Sequence, residues 1–194
     1  MELIELIPIL EARVDNTLSG KRARHSRAVA LFAADLCIRN DVDPLRGKVA
    51  GLAHDLAKEL PVSEQRRLAS MFRGSIPISA FFTDKLIHGP AAASILERDY
   101  ALDDFELLEA IAQHTIGRVD MSLLGIILYC ADKIEPGRRG ITPEFRERCA
   151  LMTPREMQRE VVGGLIEWLK SQDHSIAPET IRLYADLGAK VSAG

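Results

Sequence analysis

The sequence has few of the features that mark secreted scaffolds or membrane proteins. Its cysteines number three in 194 residues, Cys37, Cys130 and Cys149. Because this number is odd and no pair has CxxC spacing, a disulfide framework and a cysteine-based zinc site are both disfavoured, and a reducing cytoplasm is the expected compartment. The longest apolar run, 121–131, is about half the ~20 residues that a membrane-spanning helix needs. The first residues also lack the positive charge that begins a signal peptide.

An excess of positive charge is also missing. The formal net charge is −3 at pH 7, so a general attraction to nucleic acid or to an anionic membrane is not expected, although a local basic pocket could still bind a small anion. The hydrophobic content of 47% and the charged content of 27% are ordinary for a globular protein. With 194 residues the chain is long enough to bury a substantial core, and we expect one domain over residues 1–194.

Helical periodicity runs through the chain, and no convincing strand alternation or internal repeat is found. Apolar residues recur every three or four positions within 22–39. Asp43-Pro44 and Thr153-Pro154 are typical helix starts, in which a capping residue is followed by proline at the first helical position. The pattern predicts an all-α fold of roughly eight to ten helices. These include a helix from Pro44 to about Lys58, one from about 80 to near His88, and a last one from Pro178 to about Lys190.

Histidines and aspartates form a spaced series along the predicted helices. At least three members point along an apolar stripe; His25, for example, precedes Val29 by four residues and Leu36 by eleven. Neutral imidazole and carboxylate groups are ligands of borderline divalent metals, and six of them exceed the needs of one tetrahedral site. We therefore predict two neighbouring metal ions, the arrangement used to hydrolyse phosphate esters and anhydrides. The predicted ligands are His25, His54, Asp55, His88, His114 and Asp132.

Each of these residues also has an explanation without a metal. A lone buried histidine can bond to a backbone carbonyl, and the mixed helix face around His88 favours a surface position. Asp132 follows an apolar segment, where burial costs several kcal/mol unless a metal or a cation such as Lys133 compensates it. His174 stands apart in a polar segment and is expected in a solvated loop. We favour the metal site because the other four histidines share helix ends or apolar faces.

The residues around this series resemble those of a known family. His25, His54-Asp55 and Asp132 match the H…HD…D signature of HD-domain metal-dependent phosphohydrolases. Four strings resemble the YqeK-type branch of that family, the bacterial symmetrical diadenosine-tetraphosphate hydrolases, and they occur in the same order: AGLAHDLAK at 50–58, IHGPA at 87–91, AIAQHTIG at 110–117 and YCADKIEPGR at 129–138. The resemblance covers roughly residues 20–190.

The resemblance implies a helical fold with two metal ions, usually iron, in a core region of about 20–140, and C-terminal helices in 141–194 packed on it. Manganese, cobalt, nickel and zinc are alternatives to iron, because the type of ligand alone does not select among these ions. The implied reaction is attack by a metal-bridging hydroxide on a central phosphorus of the tetraphosphate, which gives two ADP. One metal would be bound by His25, His54, Asp55 and Asp132, and the other by His88 and His114, with Asp55 bridging.

Positive and polar groups beside these ligands are candidates for contacts with the substrate phosphates. Lys58 follows Asp55 by three residues, and Arg138 lies in a Gly-Pro loop; with Asp55 they form the predicted catalytic set. Thr115 and Gly117 could supply a hydroxyl and a close backbone approach, and with Lys58 and Arg138 they form the predicted substrate-binding set. One of four basic residues around His25 could also reach the substrate: Lys21, Arg22, Arg24 or Arg27.

Three other functions stay open from the sequence. The chain could be an HD-type phosphohydrolase for another nucleotide or phosphoester, a nucleotide-sensing regulator with little turnover, or a purely structural helical protein. A preference for adenine is implied by the resemblance alone, since no base-reading motif is present. The expected partner is a small-molecule nucleotide rather than a nucleic acid or a membrane, and amphipathic helices at both ends leave room for a homodimer.

Overall fold

The chain folds as a bundle of α-helices. A computed structural model describes residues 1–188, apart from the side chains at positions 81 and 82, and this part contains no strand. The prediction of an all-α fold is confirmed, with eleven α-helices in the described part where eight to ten were expected. In chain order they are α1 (Leu3–Thr17), α2 (Gly20–Arg39), α3 (Pro44–Ala53), α4 (Val62–Ala69), α5 (Ile78–Phe82), α6 (His88–Asp99), α7 (Phe105–Gln113), α8 (Leu123–Ile134), α9 (Pro143–Ala150), α10 (Pro154–Ser171) and α11 (Pro178–Asp186).

The helix α1 lies near the beginning of the chain, where an amphipathic helix was expected without bounds. It contains Pro8, and because a proline inside a helix removes a backbone hydrogen bond, periodicity alone is a poor guide to this segment. The helix forms because one of its faces is apolar and packs on α3 and α2. The buried residues of that face are Leu6, Ile7, Leu10 and Val14.

The central helix is α3, which contacts α1, α2, α6, α7 and α8. It begins after Asp43, whose carboxylate accepts a hydrogen bond from the Leu45 backbone N–H at 2.9 Å. Two glycines one turn apart, Gly47 and Gly51, let its backbone approach α2 closely: a Cβ added at Gly51 would lie 2.4 Å from Ala30 Cα. This packing holds the C-terminal end of α3 in the middle of the bundle, among the helices that carry the predicted ligands.

The predicted end of α3 is wrong. The helix ends at Ala53 rather than near Lys58, and residues 54–59 form turns. In these turns a backbone N–H bonds to the carbonyl three residues earlier, as from Lys58 to Asp55 at 2.9 Å. These turns are tighter than an α-helix, and their hydrogen bonds engage backbone carbonyls that would otherwise be unpaired at the helix end. His54 and Asp55 therefore lie in a turn directly after α3.

A further helix boundary differs from the prediction, and another falls outside the described residues. The helix predicted to end near His88 is interrupted, because Thr83 takes an extended conformation after α5 and a short 3₁₀ helix follows at Asp84–Leu86. His88 is instead the first residue of α6. α11 ends at Asp186, and the predicted end of the last helix near Lys190 lies outside the described residues.

The C-terminal helices cover the side of the bundle next to α8. α10 packs on α8 and contacts both α9 and α11. The Thr180 hydroxyl of α11 donates to the Ile116 carbonyl at 2.9 Å, which ties the last described helix to the loop after α7. The division into a core of about 20–140 and helices of 141–194 within one domain stays a prediction, because the end of the chain lies outside the described residues.

The described helices contain neither a candidate membrane span nor a disulfide. Within residues 1–188, no helix is both long and apolar enough to cross a bilayer. Cys37, Cys130 and Cys149 are buried free thiols. Burial raises the pKa of the Cys37 thiol to about 11, so this group stays protonated near neutral pH.

We predict that Gly51→Ala destabilises the protein, because the new Cβ would collide with the α2 backbone at Ala30. Overpacking of this kind typically costs about 1–3 kcal/mol, which should lower the melting temperature by several degrees. Melting curves followed by circular dichroism measure the effect. Gly164→Ala on α10 is the matched control, because nothing lies within 4 Å of an added Cβ there. Equal melting temperatures for the two variants would contradict the prediction.

Candidate metal centre

Five structural elements bring all six predicted ligands to one place inside the bundle. His25 comes from α2, His54 and Asp55 from the turn after α3, His88 from the start of α6, His114 from the turn after α7, and Asp132 from α8. We call His25, His54 and Asp132 the first group and His88 and His114 the second group. Asp55 belongs to both, since its ligand atoms lie within 4.8 Å of those of His25 and His54 on one side and of His88 and His114 on the other.

Asp55 lies between the two groups. Its Oδ2 atom is 3.8 Å from His54 Nε2, whereas its Oδ1 atom is 3.2 Å from His88 Nε2 and 4.0 Å from His114 Nε2. Each carboxylate oxygen therefore faces a different group. This is the placement that a bridging carboxylate needs.

Asp132 completes the first group. Its Oδ1 atom lies 3.0 Å from His25 Nε2 and 3.7 Å from His54 Nε2. Its other oxygen, Oδ2, accepts a hydrogen bond from Lys133 Nζ at 3.3 Å, and the same ammonium donates to the His114 carbonyl at 2.8 Å. The salt bridge that could replace a metal is thus present, but it uses one oxygen and leaves the other facing the histidines.

Three of the four histidines are held in the same way. Each lies at a helix end, with its Nδ1 atom within hydrogen-bond distance of the backbone carbonyl three residues earlier. Because a carbonyl only accepts, Nδ1 of His54 and His114 carries the proton, and Nε2 keeps a lone pair directed into the cluster. At His88 the Lys58 ammonium also lies 3.0 Å from Nδ1, so this ring has a donor as well as an acceptor beside that nitrogen. The three bonds run from His54 to Gly51 at 2.7 Å, from His88 to Lys85 at 3.0 Å and from His114 to Ile111 at 2.7 Å.

The Nε2 atom of His54 gives the clearest sign that the cluster fits a cation. This atom is buried and has no hydrogen-bond partner among the described residues. The charged atoms that face it are carboxylate oxygens of Asp55 and Asp132, at 3.8 and 3.7 Å, and these cannot donate a proton. Buried acceptors that face one another cost free energy, which a divalent ion between them would recover. The donor set therefore suits borderline divalent metals.

Burial and charge set the protonation of the ligands. Burial lowers the pKa of His54, His88 and His114, so these rings are neutral near pH 7. Burial on its own would raise the pKa of Asp132, but the charge of Lys133 and the hydrogen bond to His25 hold the pKa of this carboxyl well below its usual range. The Asp55 carboxylate pairs with the Arg22 guanidinium at 3.0 Å. Neutral imidazoles and ionised carboxylates are the forms in which these groups bind a metal.

His25 differs from the other three histidines. Its Nδ1 atom is 3.2 Å from Glu135 Oε1, and its Nε2 atom is 3.0 Å from Asp132 Oδ1. Burial opposes the charged form, but the hydrogen bonds to these two carboxylates raise the pKa of His25 to about 9, so without a metal the ring is protonated at neutral pH. A metal in the first group has to replace the Nε2 proton, and its affinity should therefore fall as the pH falls.

Two charged residues at the site had little signal in the sequence. Arg22 donates from Nη1 to Asp55 Oδ2 at 3.0 Å and from Nε to Glu59 at 3.1 Å, so it is one of the basic residues around His25 that does reach a predicted ligand. Glu135 is almost completely buried, with 3% of its side chain exposed. Its only sequence signal is its place in the YCADKIEPGR string.

The predicted substrate contacts lie at different depths. Lys58 Nζ is 3.0 and 3.1 Å from the two ring nitrogens of His88. The Thr115 hydroxyl is 3.1 Å from His114 Nε2, so it lies beside the second group. Arg138 is exposed, and no hydrogen bond or ion pair joins its side chain to the described residues. Lys58 and Thr115 therefore adjoin the ligands, whereas Arg138 is open to solvent.

Gly117 has a structural explanation of its own. Its φ is +73°, a conformation that favours glycine, and its N–H donates to the Gln113 carbonyl at 2.8 Å after the end of α7. A Cβ at this position would lie 2.7 Å from Leu183 Cδ2 and 3.0 Å from Tyr129 Cε2. The turn and the packing thus require glycine, and the contact of Gly117 with the substrate stays a prediction.

Comparison with known proteins relates the cluster to one family. The HD domain family matches residues 22–137, a range that includes all six predicted ligands. A Mycoplasma genitalium protein named "Probable nicotinate-nucleotide adenylyltransferase/Ap4A hydrolase" is 38% identical over 134 residues, which are 69% of this chain and 36% of that protein. The "Bis(5'-nucleosyl)-tetraphosphatase, symmetrical" of Halalkalibacterium halodurans is 29% identical over 175 residues, which are 88% of this chain and 90% of that protein. This chain thus spans a minor part of the first relative and most of the second.

A solved structure shares the helical fold. The crystal structure of a protein from Clostridium acetobutylicum, described as a "predicted HD superfamily hydrolase involved in NAD metabolism", superposes with a TM-score of 0.83 at 28% identity. The superposition covers 93% of this chain and 95% of that one. The likeness therefore extends beyond residues 22–137 to the helices on either side.

We predict that Asp55→Ala abolishes the binding of both metals, because each group loses a ligand and the two lose their bridge. In the wild type, a metal at about 100 times its dissociation constant should raise the free energy of unfolding by ~2.7 kcal/mol. The melting temperature should then rise by several degrees. Anaerobic titration with Fe²⁺ or Mn²⁺, followed by metal analysis, gives the stoichiometry. The control is His174→Ala, since His174 is exposed beside Trp168. Two metals per chain in Asp55→Ala would contradict the prediction.

Proposed function

The chain belongs to the HD domain family, and we propose that it is a metal-dependent hydrolase that cleaves dinucleoside tetraphosphates, diadenosine tetraphosphate above all, into two nucleoside diphosphates. The observation that carries the proposal is the pair of ligand groups that share Asp55, because two adjacent divalent ions suit phosphoanhydride hydrolysis. The relative from Halalkalibacterium halodurans, named as a symmetrical tetraphosphatase, supports the substrate and the position of cleavage.

The charges at the site favour a substrate with about four negative charges. The cluster and its edge contain three carboxylates, Asp55, Asp132 and Glu135, and three cations, Arg22, Lys58 and Lys133. With neutral histidines, and with Glu59 counted because it pairs with Arg22, these side chains sum to one negative charge, so two divalent ions would leave a net charge of about three positive. A dinucleoside tetraphosphate carries about four negative charges near neutral pH, so the loaded site would attract it and largely neutralise it.

The residues of the site would hold and orient the tetraphosphate. When bound, two divalent ions would neutralise phosphate charge and lower the pKa of the attacking water. Asp55, with one oxygen towards each group, would set the distance between them. Lys58, beside the His88 ring, would donate to a phosphate oxygen. The leaving group is a nucleoside diphosphate, which departs readily, so no dedicated general acid is required.

Iron is the metal we propose, with manganese, cobalt, nickel and zinc as alternatives. Mixed imidazole and carboxylate ligands suit several of these ions, and cellular supply decides among them as much as geometry does. The free cysteines fit the reducing cytoplasm expected from the sequence. A small nucleotide is the proposed partner, direct binding of nucleic acid is not expected, and a homodimer stays a prediction.

The proposal is tested by product analysis. The protein is purified anaerobically, supplied with Fe²⁺ or Mn²⁺, and incubated with diadenosine tetraphosphate, and the products are separated by ion-exchange chromatography. We expect ADP as the only nucleotide product, and none with Asp55→Ala. AMP plus ATP would contradict symmetrical cleavage. Bound metals with tight nucleotide binding and no product would favour a sensor, and turnover of a different phosphoester would favour another HD phosphohydrolase.

We predict that Lys58→Ala and Arg138→Ala each lower kcat/KM by about 10- to 150-fold, because a hydrogen bond to a charged group contributes ~1.5–3 kcal/mol. Since no described residue pairs with the exposed Arg138 side chain, its removal should leave the melting temperature unchanged. Arg139→Ala is the matched control, because it removes an exposed arginine from the same loop. Wild-type kcat/KM in either variant would exclude that residue from the mechanism.

A further inference from the structure

A buried glutamate outside the predicted ligand set touches the first group. We propose that Glu135 is the positioning residue of this group: it fixes the tautomer and direction of His25 and so makes the first group the tighter of the two metal sites. This inference rests on the proposed metal-dependent function. Metal binding tests it without any turnover, so the two can fail separately.

His25 cannot be held in the way that the other histidines are. Those rings lie at helix ends, where each Nδ1 bonds to the carbonyl three residues earlier. His25 lies inside α2, where the backbone carbonyls accept the hydrogen bonds of the helix itself. Its Nδ1 atom therefore needs an acceptor from another part of the chain. Glu135 supplies that acceptor at 3.2 Å, which leaves Nε2 directed at the cluster.

The Glu135 carboxylate is fixed on both sides. Its Oε1 atom faces His25, and its Oε2 atom accepts a hydrogen bond from the Gly137 backbone N–H. The Arg146 guanidinium of α9 donates to the carbonyls of Ile134 and Glu135 at 2.7 and 3.4 Å. Because both oxygens are engaged and the backbone is tied to α9, the carboxylate is held towards His25.

This carboxylate makes the two groups unequal. A carboxylate that accepts from a ligating imidazole increases the basicity of that ligand, and a neutral carbonyl does so less. The first group also contains Asp132, whereas the only carboxylate of the second group is the shared Asp55. Once His25 has lost its Nε2 proton, the first group therefore presents more negative charge to a cation than the second group does. It should fill at a lower metal concentration than the second group.

Two substitutions disturb the carboxylate in different ways. Glu135→Gln keeps the shape but has one acceptor oxygen for two donors, so either His25 or the Gly137 N–H must face an NH₂ group. Gly137→Ala keeps the carboxylate but displaces it, because the added Cβ would lie 2.9 Å from Glu135 Oε2. Gly137 is exposed, so this variant should fold even if Glu135→Gln does not.

Anaerobic titration with Mn²⁺ alone, followed by calorimetry and electron paramagnetic resonance, measures the two sites. In both variants we expect the tighter site to weaken by about 10- to 100-fold and the weaker site to change less. The electron paramagnetic resonance signal of two coupled Mn²⁺ ions should then appear at a higher metal concentration in the variants than in the wild type. The controls are Glu179→Gln, which alters a mostly buried carboxylate bonded to Ser79, and Gly164→Ala, which adds a Cβ in open space.

The outcomes separate a positioning role from a structural one. Unchanged affinities in both variants, equal wild-type affinities at the two sites, or an equal loss at both sites with a lower melting temperature would overturn the inference. A wild type that binds no metal would overturn the proposed function as well. Two metals bound by the wild type without hydrolysis of diadenosine tetraphosphate would count against the proposed substrate alone, and the variant comparison would still decide the role of Glu135.

Discussion

The structure depends on burying six potential metal ligands in a helical bundle while giving their polar atoms partners. A buried nitrogen or carboxylate without a partner costs several kcal/mol. The ends of helices and the turns beside them meet much of this requirement, because a backbone carbonyl there can accept from a histidine three residues later. Gly51 shows the coupling most directly: its lack of a Cβ lets α3 touch α2 at Ala30, and its carbonyl holds His54. One residue thus serves packing and ligand geometry together.

The cations around the cluster solve a second problem, since they pair with the carboxylates and leave one oxygen of each without a cationic partner. Lys133 bonds to Asp132 Oδ2 and leaves Oδ1 for the histidines. Arg22 bonds to Asp55 Oδ2, the oxygen on the side of the first group, and leaves Oδ1 facing the second group. The protein can therefore hold its ligands in the charge state that a metal needs. The same cations reduce the repulsion between carboxylates that would otherwise be buried side by side.

The helical fold and the gathering of the six ligands were predictable because apolar periodicity reports which helix face is buried, and most ligands lie on that face. The end of α3 was not predictable, because Leu56 and Ala57 continue the apolar pattern into the turns that follow the helix. Periodicity alone does not distinguish such turns from helix. The alternative surface position of His88, which its mixed helix face favoured, is wrong, because α6 packs on α4 and α7 and 1% of the residue is exposed. Glu135 escaped notice because its partner, His25, is 110 residues away in the chain.

The overall charge of −3 does not describe the field that a nucleotide meets, because that field is set by the few groups at the site. Without metals, phosphates entering the cluster would meet Asp55, Asp132 and Glu135, whose charges the nearby cations, including the protonated His25, largely cancel. Two divalent ions would reverse that balance, so metal binding and nucleotide binding should be thermodynamically coupled. The metals would then supply the attraction for the polyphosphate, while Lys58 and Arg138 would select its position. In this way an acidic protein can bind a highly charged anion.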